Sequence, residues 1–367
     1  MKKTLIIGNS KVVFTRELQG ELIEKRMDVY LLDFEYLELY DSKQNLECSY
    51  AAMFSNYKKL PKLHMFFRMM IIKKIITDMN FEVVNIHVAR WYYRFILKTL
   101  KQRQITVSFY GSDLYRTSNL SKKLLYPLLK TAKTITFTNK KTQNSFLDYY
   151  KNFQDKTRVC RFGLKTLDFI DKNRDKNKLE IKKHLGYSEE KTIVTCGYNS
   201  TKAQQHERII ENIIKLPQNI LENIQFIFPM TYGDNTNKEK IKNVLLKTNL
   251  DYIVLEDFLR GNDNAYIKLI SDIMINILIT DSFSGSMQEF LYAKNVVITG
   301  SWLPYDVFDN EGIIYEKIDF SGKLADKLED ILANLQNYKT NLDKNIDIIS
   351  KLSSWKYNIS NWIEALK

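Results

Sequence analysis

The chain has 367 residues, of which 44% are hydrophobic and 27% charged, and its formal net charge at pH 7 is +12. A single hydrophobic core rarely organises a chain of this length, so we expect two domains. No apolar run approaches the roughly 18 residues that a membrane-spanning helix needs. The first residues, Met1–Thr4, lead into a short strand-like run rather than a signal peptide. We therefore expect a cytoplasmic protein that does not span a membrane.

The excess of positive charge predicts an acidic partner, such as a phosphorylated substrate, an anionic bilayer or nucleic acid. The three cysteines, Cys48, Cys160 and Cys196, are not spaced as metal ligands. Reduced thiols are therefore the simplest interpretation of these residues.

Strand-like runs alternate with helical patterns in the first half of the chain. The predicted strands are Thr4–Ile7, Asp28–Phe34, Val83–Val88, Ile105–Phe109, Thr134–Thr138 and Thr157–Phe162. The predicted helices between them are Phe14–Arg26, Arg90–Gln104, Leu120–Ala132 and Lys140–Lys151. Such alternation predicts a parallel, doubly wound α/β sheet. One glycine, Gly8, follows the first strand, where a dinucleotide fingerprint would have three.

The segment Tyr57–Met79 combines basic and bulky apolar residues. Helical spacing places Lys62, Phe66, Met69 and Lys73 on one stripe. A helix with such a face would suit an anionic membrane surface. The alternative is an ordinary surface helix whose Met and Phe side chains face the core.

The charged run Lys172–Lys178 predicts the domain boundary, giving domains of residues 1–171 and 172–367. After it the alternation restarts, and the final helix is able to pack back on the first domain. The predicted strands of the second half are Lys191–Cys196, Ile224–Phe228, Tyr252–Leu255, the apolar run Ile275–Ile279, and Val296–Gly300. Two doubly wound Rossmann-like domains place the default ligand site in the cleft between them.

Polar or glycine residues follow three strands of the second half. Because the carboxyl ends of parallel strands meet at one edge of the sheet, we expect these loops to converge on a ligand. The residues predicted to bind it are Gly197, Asn199, Lys202, His206, Thr231, Tyr232, Ser284, Gly285, Ser286 and Glu289.

A diphosphate at these loops would be held by amides at helix N-termini, by serine hydroxyls, and by Lys202 or His206 as cations. Glu289, which only accepts hydrogen bonds when ionised, suits the diol of a ribose. Each residue also has an ordinary interpretation: Lys202 as a solvated lysine, His206 as a surface or capping residue, and the Ser–Gly segment as a turn. Their joint placement on successive strand ends favours a site.

These residues resemble those of GT-B glycosyltransferases, which have two Rossmann-like domains. Asp281 to Glu289 is similar to the Glu–seven residues–Glu motif of the large retaining family 4, with Asp in the first position. The resemblance implies that Glu289 contacts the ribose of a nucleotide-sugar donor and that Asp281 contacts the donor sugar. It also implies a C-terminal donor domain and an N-terminal acceptor domain.

A narrower similarity is to the fucosamine transferases of enterobacterial common antigen assembly. It rests on Gly197-Tyr198-Asn199 with His206, on Pro229-Met230-Thr231-Tyr232, and on the stretch Tyr110–Tyr115. Many family 4 enzymes have a histidine where this chain has Tyr110.

The chemistry requires a base for the acceptor hydroxyl and positive groups for the leaving diphosphate. Asp113 is the best-placed candidate base, and its alternative role is to cap a turn. His87 is a second candidate, and its alternative is a structural histidine within a strand. No Asp-any-Asp pair occurs in the sequence, so we expect neither a metal nor another cofactor. The pattern does not choose between retention and inversion.

The sequence thus predicts a glycosyltransferase that uses a UDP-, TDP- or GDP-sugar in bacterial surface polysaccharide synthesis. Its acceptor would be a glycan or a polyprenyl-diphosphate-linked sugar, met at the inner face of an anionic membrane by peripheral attachment. The alternatives are a nucleotide-sugar epimerase on the same scaffold and a non-enzymatic sugar-binding module. Nucleic acid is not the predicted partner, and binding to it would weaken steeply with salt.

Overall fold

The computed structural model describes residues 2–58, 63–87, 89–281 and 283–367, and the chain divides into two compact units. Unit 1 comprises Met1–Gly163 and Trp355–Lys367, and unit 2 comprises Leu164–Ser354. The run Lys172–Lys178, predicted as the boundary, instead lies within unit 2. Within unit 2, Lys178 forms an ion pair with Asp272, with Nζ 2.6 Å from a carboxylate oxygen.

The elements of unit 1 that precede unit 2 follow in chain order. They are β1 (Thr4–Gly8), α1 (Val13–Glu24), β2 (Val29–Asp33), β3 (Glu38–Tyr40), β4 (Leu46–Ser49), α2 (Ala51–Lys58), α3 (His64–Asp78), β5 (Val83–His87), a 3-10 helix (Trp91–Ile96), α4 (Leu97–Leu100), β6 (Gln104–Phe109), α5 (Ser112–Tyr115), α6 (Asn119–Thr131), β7 (Thr134–Phe137), α7 (Lys140–Tyr149), a second 3-10 helix (Lys151–Lys156) and β8 (Thr157–Val159).

The elements of unit 2 follow, and the last helix of the chain returns to unit 1. They are α8 (Lys165–Asn173), α9 (Lys178–Leu185), β9 (Thr192–Cys196), a 3-10 turn (Lys202–Gln204), α10 (His206–Ile213), α11 (Gln218–Leu221), β10 (Ile224–Pro229), α12 (Asn235–Leu245), β11 (Tyr252–Leu255), α13 (Gly261–Ile270), β12 (Ile273–Asn276), α14 (Gly285–Tyr292), β13 (Val296–Gly300), α15 (Asp306–Glu311), β14 (Glu316–Ile318), a 3-10 turn (Ser321–Lys323), α16 (Leu324–Ala333), α17 (Leu335–Lys339), α18 (Asp343–Ser353) and, in unit 1, α19 (Trp355–Leu366).

Both units are built around sheets with mainly parallel strands, which confirms the predicted α/β architecture. Within the described residues, the sheet of unit 1 has the order β4-β3-β2-β1-β5-β6-β7-β8, and only the pairings of β2 with β3 and of β3 with β4 are antiparallel. The sheet of unit 2 has the order β11-β10-β9-β12-β13-β14, with every pairing parallel. Helices between the strands supply the crossover connections that parallel pairing needs.

The helix predicted over Arg90–Gln104 is shorter and begins as the 3-10 helix Trp91–Ile96. Its buried residues, Tyr93 and Ile96, are three positions apart, which is the period of a 3-10 helix.

The predicted membrane-facing stripe on α3 is wrong in one decisive residue. Met69 is fully buried in the core of unit 1, while Phe66 and Lys73 are exposed. The face that carries Met69 therefore packs inward, and Lys62 lies outside the described residues. No helix in the described part of the chain has the length and apolar character needed to cross a bilayer.

The C-terminal helix α19 completes the core of unit 1. Trp355 and Trp362 are almost completely buried, and Trp362 Nε1 donates to the carbonyl oxygen of Arg161 at 2.9 Å. Gly163 lies directly against Trp355, and a Cβ there would come within 2.3 Å of the indole. Residues far apart in sequence thus form one core.

Candidate functional site

The predicted ligand loops follow three neighbouring strands of unit 2. Strand β9 lies between β10 and β12 in the sheet, and all three strands are parallel, so their carboxyl ends share one edge. We call residues 197–205 the first loop, 230–234 the second loop, and 277–284 the third loop. The chain order of the strands reverses around β9, which is where open α/β sheets bind their ligands.

The first loop turns sharply at Gly197, which has a φ of +68°. A Cβ at this position would lie 2.7 Å from Gln204 Oε1 and 2.9 Å from His206 Nε2, so a side chain does not fit. The loop is closed by Tyr198 N–H, which donates to Gln204 Oε1 at 3.2 Å. The glycine therefore lets the backbone approach the side chains of the following turn.

Hydrogen bonds tie the first loop to the second loop. The amide and the hydroxyl of Ser200 both donate to the carbonyl oxygen of Tyr232, at 2.8 Å and 2.9 Å. Gly233, with a φ of +121°, allows this contact because its Cβ would lie 2.9 Å from Ser200 Oγ. The side chain of Asn199 also bonds to that of Tyr232, and Thr231 is half-buried beside it.

The first loop is also joined to the third loop. Ile279 N–H donates to the carbonyl oxygen of Ala203 at 2.9 Å, and Gln205 Nε2 donates to that of Ile277. Strand β12 accordingly ends at Asn276, three residues before the predicted end, and Ile279 is exposed. The predicted convergence of the three loops is confirmed.

The third loop leads into α14 through a serine cap. Ser284 Oγ accepts a hydrogen bond from Met287 N–H at 3.1 Å. Gly285 and Ser286 form the first turn of α14, where both are half-buried. The predicted Ser–Gly–Ser segment therefore lies at a helix N-terminus, the environment in which backbone amides favour an anion.

Asp281 is oriented by a tyrosine that sequence reasoning missed. Tyr305 donates its hydroxyl proton to Asp281 Oδ2 at 2.8 Å and accepts a hydrogen bond from Asn276 Nδ2 at 3.1 Å. Asp281 also acts on a second tyrosine of the site. Burial and the nearby Asp281 charge raise the pKa of Tyr198 to about 12, so the Tyr198 hydroxyl stays protonated. Tyr305 could have been found from its position just after β13, on the same edge of the sheet.

Glu289 faces a buried lysine on a neighbouring helix. Lys268 Nζ on α13 lies 3.4 Å from Glu289 Oε2, and the two side chains are 9% and 13% exposed. Burial lowers the pKa of Lys268, and the Glu289 charge opposes that effect. The hydroxyl of Tyr232 has a pKa raised first by desolvation and then by the charges of Glu289 and Asp281. Both acids therefore lie near one phenol group.

The two predicted cations have different environments. Lys202 is exposed at the start of the 3-10 turn in the first loop. His206 is 2% exposed, and burial lowers its pKa to about 4. The predicted role of His206 as a cation is therefore corrected: at neutral pH its ring is uncharged, and it can contribute only as a neutral hydrogen-bonding group.

Asp113 caps a turn in unit 1, as its alternative interpretation predicted. Its carboxylate accepts from the amides of Tyr110 and Gly111 at 3.0 Å and 2.8 Å. Burial raises the pKa of Asp113, while these hydrogen bonds and the charge of Arg90 oppose the rise. A structural role is thus present, and a role as base stays a prediction.

His87 is poorly suited to act as a base. Its Nε2 contacts Asn85 Nδ2 at 2.8 Å, its Nδ1 contacts the Tyr110 hydroxyl, and its ring stacks on Trp362 with centroids 5.8 Å apart. Burial lowers its pKa to about 3. Both nitrogens are engaged, and the lowered pKa makes the ring a weak proton acceptor, so these contacts favour the structural alternative over the predicted role as base.

The polar contacts of His87 continue across the sheet of unit 1. Thr136 Oγ1 donates to Ser108 Oγ at 2.8 Å, and Ser108 donates to Asn85 Oδ1 at 2.9 Å. Such a fully hydrogen-bonded buried chain fixes the side chains of three adjacent strands. It ends at the Tyr110 hydroxyl, beside the turn that Asp113 caps.

Comparison with known proteins agrees with this architecture. Residues 3–139 match the model of the glycosyl transferase 4-like family, and no curated protein sequence matches the chain. A glycosyltransferase from Rickettsia africae superposes with a TM-score of 0.75 at 15% identity, covering 100% of this chain and 98% of that chain.

Two further structures bear on the fold. HepE from Anabaena in complex with UDP-glucose has a TM-score of 0.67 at 11% identity, covering 100% of both chains. Sucrose-phosphate synthase from Thermosynechococcus elongatus has a TM-score of 0.68 at 12% identity, covering 99% of this chain and 98% of that one. The fold is therefore that of GT-B glycosyltransferases.

The two buried histidines lead to a pH prediction. The folded-state pKa values of His87 and His206 are about 3 and about 4, below the usual 6.5 of an unfolded chain. On acidification, the unfolded state therefore takes up protons before the folded state does. Their stabilising effect is therefore complete above about pH 6.5 and is lost as the pH falls toward about 4. Within that window, each buried histidine should lower the free energy of unfolding by about 1.4 kcal/mol for every pH unit of acidification.

This prediction is tested by following the histidine ring protons by NMR between pH 8 and 5, with exposed His184 as the reference. Both buried rings should stay neutral, and urea unfolding should show a smaller pH slope in His206→Gln than in the wild type. A ring of His87 or His206 that titrates near pH 6.5 in the folded protein would contradict the account.

Proposed function

We propose that the chain transfers a sugar from a nucleotide-sugar donor, held by unit 2, to a hydroxyl group of an acceptor glycan. The observation that carries the proposal is the hydrogen-bonded cluster of the three loops, which brings Asp281 and Glu289 near the same tyrosine. The proposal is also supported by the ligand of HepE, the Anabaena protein of the same fold, which is UDP-glucose. We extend it to UDP-, TDP- and GDP-sugars as candidate donors.

Transfer breaks the bond between C1 of the sugar and the diphosphate oxygen, and forms a bond between C1 and the acceptor oxygen. The nucleoside diphosphate leaves with the bonding electron pair, and the acceptor proton passes to a base. We assign stabilisation of the leaving charge to exposed Lys202, the backbone at Gly197, and the first turn of α14 after Ser284. Glu289 then accepts from the ribose hydroxyls, and Asp281, oriented by Tyr305, contacts the donor sugar.

This scheme uses neither a metal nor another cofactor. The positive groups of the protein are instead assigned the neutralising role that a divalent ion plays in other transferases.

For the acceptor we propose a lipid-linked or free glycan of a bacterial surface polysaccharide. The similarity of Gly197–Asn199 and of Pro229–Tyr232 to fucosamine transferases supports that class of pathway and an amino-sugar donor as the first one to test. We assign the acceptor role to unit 1, whose residues 3–139 match the glycosyl transferase 4-like family model.

Contact with an anionic membrane surface is supported by an exposed apolar patch on unit 1. Its members lie at the start of α3 and in the following 3-10 helix, and are exposed by 37–52%: Leu63, Phe66, Trp91 and Phe95. Residues 57–77 and 83–112 contain no Asp or Glu, and Lys73, Arg94 and Lys98 are exposed there. Aromatic side chains with flanking cations suit the interface of an anionic bilayer.

Donor binding is the first testable outcome. In a thermal-shift screen with UDP-, TDP-, GDP- and ADP-sugars, a ligand at a hundredfold excess over its Kd should stabilise the protein by about 2.7 kcal/mol. Glu289→Ala and Lys202→Ala should weaken that donor's binding about tenfold, since each removes a charged contact. Lys215→Ala, which changes the net charge equally at the other end of α10, should bind normally. No binding of any of these ligands at millimolar concentration would sink the proposal.

The assignment of the base predicts a separate effect on turnover. Asp113→Asn keeps an oxygen that can accept from the Tyr110 and Gly111 amides, but cannot take up the acceptor proton. Turnover should fall by about a hundredfold or more, while donor affinity stays within twofold of the wild type. Normal turnover would remove Asp113 as the base. A new sugar formed from donor without acceptor would favour the epimerase alternative.

The membrane contact is tested by sedimentation with lipid vesicles. The protein should bind vesicles that contain anionic phosphatidylglycerol, bind less as salt rises, and remain free with pure phosphatidylcholine. Trp91→Ser with Phe95→Ser should abolish most of this binding, whereas Phe258→Ser, at an exposed aromatic of unit 2, should not. Equal binding by both variants would show that the patch is not the contact surface.

A further inference from the structure

The ion pair between Lys268 and Glu289 has features of a functional contact. Lys268 is on α13 and Glu289 on α14, two helices that flank β12 in sequence. Their charged atoms are 3.4 Å apart and their side chains are 9% and 13% exposed. Burying two charges is costly, so such a pair contributes little net stability compared with apolar side chains. Its presence at the predicted ribose ligand therefore calls for another reason.

Lys268 is held on several sides. Its ammonium donates to Asn264 Oδ1, and Asn264 Nδ2 donates to Thr166 Oγ1 on α8 at 3.0 Å. The ammonium also lies 5.3 Å from the centre of the Phe290 ring. The lysine thus has a fixed position from which its charge acts on α14, unlike the mobile lysines of the surface.

Glu289 has one oxygen directed to this lysine. Oε2 faces Lys268. Within the described part of the chain, Oε1 has no hydrogen-bond partner. A carboxylate in this arrangement keeps lone pairs for two hydroxyl groups of a ligand. It can do so only from one orientation, which the ammonium of Lys268 beside Oε2 fixes.

We infer that Lys268 is a positioning residue, which holds the carboxylate of Glu289 in the orientation that accepts hydrogen bonds from the ribose hydroxyls of the donor. The inference rests on the proposed function, because it assumes that Glu289 binds the ribose. It adds a residue that touches no substrate and acts through Glu289 alone.

Other charged groups beside α14 are engaged elsewhere. On α8, Asp171 accepts from the Tyr292 hydroxyl, and on α18, Asp343 pairs with Lys294. These contacts lie at the C-terminal end of α14. Among the ion pairs of the described residues, the one that Glu289 makes is with Lys268.

The test is the affinity for nucleotides. UDP, ADP and GDP are titrated by calorimetry into the wild type, Lys268→Met and Lys268→Arg. Without the ammonium, Glu289 is no longer held in one orientation, so the affinity of Lys268→Met should drop about tenfold or more. Lys268→Arg, which keeps a cation on α13, should recover most of the affinity.

Two controls separate positioning from stability. Lys178→Met breaks an ion pair with Asp272, at the opposite edge of the sheet, and should leave nucleotide affinity unchanged. The 2′,3′-dideoxy form of the nucleotide, which lacks both ribose hydroxyls, should bind wild type and Lys268→Met equally well. If Lys268→Met fails to fold, Lys268→Met with Glu289→Gln replaces it, and should bind the ribonucleotides weakly but the dideoxy form as the wild type does.

The outcomes are distinguishable. A wild type that binds none of the three nucleotides overturns the proposed function and this inference with it. A wild type that binds, together with a Lys268→Met variant of equal affinity, overturns this inference alone. Wild-type affinity in the variant that combines Lys268→Met with Glu289→Gln also overturns this inference. It would show, in addition, that Glu289 is not the ribose ligand.

Discussion

The candidate site depends on one constraint: strands β10, β9 and β12 pair in parallel, so the loops that leave them begin side by side. Hydrogen bonds then convert neighbouring loops into one surface, with Ser200 bonded to Tyr232 and Ala203 to Ile279. These bonds require backbone turns that an ordinary residue would block at Gly197 and Gly233. Ser284 then caps the helix that carries Glu289, and Asp281 lies in the loop just before that helix.

Much of this arrangement could be predicted from the sequence. The alternation of apolar runs and helical patterns determines a parallel sheet, and a parallel sheet determines which edge carries the ligand loops. Ser284 before an apolar helix is a local cap signal, because the hydroxyl satisfies an amide of the first turn. Gly197 and Ser284 lie at a strand end and at a helix N-terminus, as predicted, since these positions depend on chain neighbours and on topology rather than on distant side chains.

The rest depends on tertiary contacts that no local pattern records. Lys268 resembles any surface lysine in the sequence, and only the packing of α13 against α14 makes it the counter-charge of Glu289. His206 has the right position for a cation, but burial makes its ring neutral. Met69 shares a helical stripe with exposed residues. A stripe drawn at 3.6-residue spacing does not show which of its residues face the core. Local sequence patterns thus did not determine the charge state and the burial of these side chains.

The central claim, that the three loops form one nucleotide site, is tested most directly by amide hydrogen–deuterium exchange with and without a saturating nucleoside diphosphate. The account predicts slower exchange in residues 197–206, 230–234 and 283–289 together, with the apolar patch of unit 1 unchanged. Protection confined to one of these segments, or found instead at the loop after β1 in unit 1, would contradict it.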